Sequence, residues 1–185
     1  MAEDRSSEPS FESRVPEGDN RERLVCDTCG HIQYDNPKIV VGAVCDWEGR
    51  VLLCRRDIDP RSGYWTLPAG YLELEETPVE GALREAREEA EADLEIDQLL
   101  AIYHVRRLSQ IQLIYRARLL SAEVAAGHET REVGLFAWGE IPWDDIAFPT
   151  VHWALRDWRA VEGQAEFATR ANPEGESADR LHRAR

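Results

Sequence analysis

The chain has 185 residues, 43% of them hydrophobic, and a formal net charge of -14. Length and composition fit one ordinary domain with a core and exclude a wholly disordered chain, while the acidic balance disfavours a nucleic-acid binder, which needs a basic face. No apolar run nears the roughly 18 residues of a membrane span, and the opening MAEDRSSEPS has no apolar stretch of signal-peptide kind, so the expected compartment is the cytoplasm.

Residues 1–20 are polar, with Phe11 and Val15 as their only large apolar side chains, and read as a flexible arm. Residues 21–37 carry Cys26 and Cys29 in a CxxC, then turn chemistry at Tyr34-Asp35-Asn36-Pro37. A strand over 38–45 and its return over 50–56 flank the turn Asp46-Trp47-Glu48-Gly49. A loop over 57–63 leads to a short aromatic strand at 64–67, and 70–76 reads as an acidic loop. Thr77 followed by Pro78, with Glu80 three residues on, is the start signal of a helix that runs to about Ala92. Strands are expected over 94–107, 110–119 and 132–138, and a second helix over 149–161. The polar residues 163–185 read as a disordered tail, leaving 38–162 as the folded domain. Strands outnumber two well-separated helices, which predicts a mixed α/β sandwich rather than a βαβ repeat.

The acidic excess is concentrated: residues 70–97 hold eleven acids against two arginines. On a helix turning about 100° per residue, Val79, Ala82, Leu83, Ala86 and Ala90 form one apolar stripe. Glu85, Glu88 and Glu89 fall together on another flank, whereas Glu80, Arg84, Arg87 and Glu91 face elsewhere. Three like charges at i+3 and i+4 repel one another unless a cation neutralises them, and hard divalent ions take carboxylate oxygens and bridge phosphates. Periodicity alone leaves a solvated acidic face and a metal site as equal alternatives.

Gly70, five residues, Glu76, seven residues, then Arg84-Glu85-Ala86-Arg87-Glu88-Glu89 resembles the Nudix box. Six of its seven fixed positions match; the last glycine is replaced by Glu91, which bears on the turn closing the helix. The resemblance covers residues 38 to about 160. It implies an α/β/α sandwich around a mixed sheet, Mg²⁺ or Mn²⁺ on Glu85, Glu88, Glu89 and the carbonyl of Gly70, and a brace between Glu76 and Arg84. It also implies attack of water on a pyrophosphate phosphorus, with Glu88 or Glu89 as base and Glu132 or Glu129 as alternatives. Tyr64, Trp65 and Tyr71 are candidates to stack on a base, and Arg55 or Arg56 to hold phosphate; packing and solvated strand edges explain each as well.

Residues 26–38 resemble the zinc ribbon preceding the Nudix domain in NADH diphosphatases and plant FAD diphosphatases. A structural zinc needs four ligands, yet residues 1–25 contain neither Cys nor His. A metal-free remnant, a zinc shared between the chains of a homodimer, and a thiol site all stay open. The resemblance points to a small nucleotide substrate of FAD, NADH or ADP-ribose type. A nucleoside triphosphate house-cleaning enzyme and a non-catalytic nucleotide-binding regulator are the other readings.

Overall fold

The computed structural model describes residues 9–179. They fall into two units, dividing between Asn36 and Pro37. In the first, β1 (Phe11–Arg14), β2 (Arg23–Cys26) and β3 (Ile32–Gln33) form an antiparallel sheet in chain order, with Phe11 opposite Cys26 and Arg14 opposite Arg23. The flexible arm expected over 1–20 is therefore corrected for residues 11–14; residues 1–8 lie outside the described residues. All four residues of β1 are exposed. The strand is held by main-chain pairing, so it carries no apolar alternation by which to recognise it. Asp19 closes the β1–β2 turn by accepting from the amides of Asn20 and Arg21 and pairing with Arg23 at 3.0 Å.

The second unit is built on a sheet in the order β10-β5-β4-β9-β8, with β6 added to β5 and β7 to β4. The strands are β4 (Lys38–Trp47), β5 (Arg50–Arg56), β6 (Trp65–Thr66), β7 (Ala69–Tyr71), β8 (Leu94–Val105), β9 (Gln110–Leu119) and β10 (Thr130–Ala137). β4 and β9 run parallel and the other pairs antiparallel, so the sheet is mixed. The helices are α1 (Pro78–Ala90) and α2 (Pro149–Ala160). Val44, Val51 and Leu53 point to the face that α2 covers with Val151, Ala154, Leu155 and Trp158. Their neighbours Ala43, Cys45, Leu52 and Cys54 point to the other face, which α1 covers with Ala86 and Ala90. Alternation along β4 and β5 thus feeds two cores, one per face, in an α/β/α sandwich. Among the described residues no helix is long and apolar enough to cross a membrane.

Two expectations are revised here. The start of the supposed acidic loop is a strand: Gly70 pairs with Val41, and three residues are too few to show a period. The supposed disordered tail is ordered through Asp179; residues 180–185 lie outside the described residues. It runs beside the edge strand β8, where Arg170 N donates to Leu100 O (2.8 Å) and Ile102 N to Arg170 O (3.0 Å). Farther along, the Asn172 carboxamide both accepts from and donates to the backbone of His104. Glu176 accepts from Trp153 Nε1 (2.6 Å) and pairs with Arg156, and Ala178 is buried. These are isolated contacts set by β8, so the segment's own composition does not announce them.

Candidate active site

The site begins with the placement of α1. Glu80 N donates to Thr77 Oγ1 and Thr77 N to a Glu80 carboxylate oxygen, the reciprocal capping box read from the sequence. The helix then lies close to the sheet because its buried stripe is made of small residues, Gly81, Ala82, Ala86 and Ala90. Val79, expected in that stripe, is instead exposed at the first turn. Close packing carries Glu85 and Glu89 into the interior beside the stripe, each only 8% exposed. Glu88 stays at the surface with its side chain 59% exposed. One flank of the helical wheel is therefore two environments, a buried i, i+4 pair and an outward acid.

Glu85 lies flat against Gly70. A Cβ on Gly70 would stand 2.4 Å from the Glu85 carboxyl carbon and from both its oxygens, so the close approach requires glycine. Glu89 accepts from Ala69 N at 3.1 Å. β7 thus meets both buried carboxylates. Arg84 ties loop to helix: it forks onto Glu76 (2.6 and 3.1 Å), donates to Tyr71 O (3.0 Å), and reaches Glu85 (2.7 Å) and Glu88 (3.0 Å) with the same Nη1. Glu76 in turn accepts from Glu73 N. The Arg84 fork holds the Glu76 carboxyl below its ordinary value.

Burial pushes the Glu89 carboxyl up to about 8; Ala69 N and Arg56 oppose the shift, and Glu85 and Glu129 add to it. Burial also raises Glu85 against the pull of Arg84, with Glu88 and Glu129 adding to the rise. Glu129 is thus an acid that both buried glutamates feel. Glu132 is placed otherwise: it sits opposite Arg55 on the sheet and pairs with it at 3.1 Å in the open. Of the two later acids, Glu129 is the one whose charge reaches the buried carboxylates, while Glu132 has a different partner. Sequence distance hides this, because the order depends on how the loop before β10 runs.

The candidate substrate contacts separate likewise. Arg56 is a positive charge that Glu89 feels; it anchors on Pro60 O at 2.9 Å and lies 5.3 Å from the Phe148 ring. Arg55 is engaged by Gly63 O and Glu132. Tyr71 is half exposed, beside Gly70 and 5.3 Å from Lys38 Nζ. Tyr64 is half-buried under Arg61. Trp65 is corrected: it is 7% exposed and packs edge-on against Phe136 at 4.9 Å, a core residue with no face free for a base. The two-residue strand β6 turns it inward, which an aromatic cluster in a loop-rich stretch does not reveal.

Among the described residues no three His, Cys, Asp or Glu side chains converge on one point as they stand; at the glutamates, Arg84 Nη1 takes the gap between Glu85 and Glu88. The donors there still fit a hard divalent ion. They are carboxylate oxygens on a rigid turn, two of them buried and raised in pKa by that burial. The CxxC does not fit a structural zinc within one chain. Cys26 is buried and Cys29 exposed, and the amides of Cys29 and Thr28 lower the Cys26 thiol, but two sulfurs are half a ligand set.

The NUDIX domain family matches residues 36–158, and the Nudix N-terminal zinc-ribbon family matches residues 9–35. The crystal structure of a NUDIX hydrolase from Nitrosomonas europaea superposes with a TM-score of 0.84 at 43% identity, over 92% of this chain and 98% of that one. A MutT-like protein of Streptomyces ambofaciens is 38% identical over 79 residues, 43% of this chain and 49% of its own length. An ADP-ribose pyrophosphatase of Methanocaldococcus jannaschii is 26% identical over 113 residues, 59% of this chain and 67% of that protein. The chain thus spans about half the length of the first of these curated relatives and about two thirds of the second.

Proposed function

This chain belongs to the Nudix family, and from that premise we propose that it is a pyrophosphohydrolase that cleaves a dinucleotide or nucleotide sugar of FAD, NADH or ADP-ribose type, using Mg²⁺ or Mn²⁺. The observation that carries the metal reading is the pair of buried glutamates, Glu85 and Glu89, pressed against Gly70 and Ala69 with Glu129 nearby. The name of the Methanocaldococcus relative supports the substrate class.

In this reading Glu85, Glu88, Glu89 and the Gly70 carbonyl hold the ion, which supplies charge neutralisation at the phosphate oxygens and at the leaving group. The chain's own residues do the rest. Arg84 and Glu76 fix the β7–α1 loop, so the carbonyl and the carboxylates meet the substrate in set geometry. Arg56, whose charge Glu89 feels, holds a phosphate oxygen of the substrate. Tyr71, half exposed at the rim, offers a ring to the base. Glu89 or Glu129 takes the proton of the attacking water: Glu89 is one of the buried acids and Glu129 is a charge they feel, whereas Glu132 is engaged by Arg55.

The test is a turnover screen with each metal over FAD, NADH, NAD⁺, ADP-ribose and nucleoside triphosphates. The expected result is one dinucleotide or sugar derivative cleaved to phosphate-bearing halves, with the activity lost in Glu89→Gln. Release of inorganic pyrophosphate from triphosphates would move the chain to the house-cleaning class. Tight nucleotide binding without cleavage would make it a binding module.

A further inference from the structure

The carbonyls of the last turn of a helix have no partner within it. In α1 the amides of Glu91 and Ala92 turn back to Ala86 and Arg87, leaving the carbonyls of Glu88, Glu89 and Ala90 outside the helix's own ladder. The loop between β9 and β10 meets them. Ala125 N donates to Ala90 O at 3.0 Å and Gly127 N to Glu89 O at 3.1 Å. Gly127 lies so close that a Cβ on it would stand 1.7 Å from Glu88 O and 2.7 Å from Glu88 C. Backbone fills that space, so no flexible side chain can move aside. Two residues on, Glu129 O accepts from Asp57 N (2.9 Å), while Thr130 N returns to Gly127 O (3.2 Å) and Arg131 pairs with Asp57 (2.7 Å). Glu129 is therefore held between two anchors, one on the box helix and one at the end of β5.

We infer that Gly127 is a positioning residue for the active site: by seating its bare Cα on the Glu88–Glu89 peptide and donating to Glu89 O, it carries Glu129 in fixed register with the box glutamates. The inference rests on the metal reading of that cluster and deepens it. Gly127 touches neither substrate nor ion; it acts through the place it gives Glu129. A side chain at 127 lifts the loop off α1 and withdraws the Glu129 carboxylate, whereas Glu129→Gln leaves the loop in place and removes the charge. The two changes reach the same end, so together they do no more than either alone.

The experiment is a Mn²⁺ titration by calorimetry on the full chain for the wild type, Gly127→Ala, Glu129→Gln and the double variant. Each single change is expected to weaken Mn²⁺ at least tenfold, and the double variant by no more than the weaker-binding single. Losses that multiply in the double variant overturn the inference, because Gly127 then acts independently of Glu129. An unchanged affinity in Glu129→Gln overturns it as well. A wild type that binds no Mn²⁺ overturns the metal reading itself and this inference with it, an outcome distinct from the other two. Should Gly127→Ala not fold, amide exchange on the wild type decides. The Gly127 amide is expected to be protected like those of the last turn of α1, and exchange at the rate of a free loop refutes the seating.

Discussion

The raised carboxyl of Glu89 should make the metal-free protein lose stability as pH rises, the reverse of the usual behaviour of a paired acid. Between the ordinary value of 4.5 and about 8, the folded state keeps the proton that the unfolded chain releases. The folded state then binds more protons, so the slope of unfolding free energy against pH is negative across that window and flat above it. At ~1.4 kcal/mol per pH unit, the full window sets a ceiling of about 5 kcal/mol; a loss of roughly 2 kcal/mol is expected once the charged carboxylate turns toward water. Glu85, shifted in the same direction, adds to the slope. The assay is urea unfolding followed by the fluorescence of the six tryptophans, from pH 5 to pH 9, in chelator and then in Mn²⁺. Glu89→Gln isolates the contribution: in chelator the wild type should fall below the variant as pH rises, and Mn²⁺ should remove the difference by neutralising the ionised form. Parallel curves for wild type and variant in chelator would refute the argument.

Three further outcomes follow from the same geometry. Glu91 adopts φ 48° where the family pattern has glycine, and its side chain is exposed; Glu91→Gly should therefore stabilise the fold by about 0.5–1 kcal/mol in a denaturant titration, the relief of a left-handed side chain less the extra freedom gained by the unfolded chain. Gly70→Ala would drive a methyl into the Glu85 carboxylate, which Arg84 already holds in place. Turnover should drop about a hundredfold, as a misplacement of roughly an ångström does, with the circular dichroism of the fold retained. Glu76→Gln frees one end of the Arg84 clamp, and metal affinity should weaken roughly 10–100-fold, as for other groups that orient ligands; calorimetry with Mn²⁺ reads it directly.

What the sequence disclosed follows from the range of each signal. The capping box of Thr77 and Glu80 is local and appears as read, and so do Ala82, Ala86 and Ala90 of the apolar stripe, while Val79 at its start is exposed. Periodicity placed Glu85, Glu88 and Glu89 on one flank, yet only contact with β7 separates the buried Glu85 and Glu89 from the open Glu88. For Trp65 the sequence left stacking on a base and packing open, because its burial depends on Phe136 in β10, far along the chain. The nearness of Glu129 likewise depends on Gly127 meeting the end of α1, a tertiary contact without a period. β1 escaped notice for the opposite reason: its exposed residues bury nothing, and its partner strand supplies the order.

The segment after α2 changes where this fold can safely be cut. β8 is the last strand of its sheet, and a bare sheet edge is a template onto which a foreign strand can add. Arg170 and Asn172 occupy that edge at Leu100, Ile102 and His104, and the run beyond them anchors Trp153 through Glu176. A catalytic unit trimmed at the end of α2 would keep every glutamate of the box and still expose an adhesive border. Its failure in solution would be self-association, with the chemistry intact in whatever fraction stayed dispersed. Residues 164–179 therefore belong to the hydrolase unit as a built-in chaperone of its open flank.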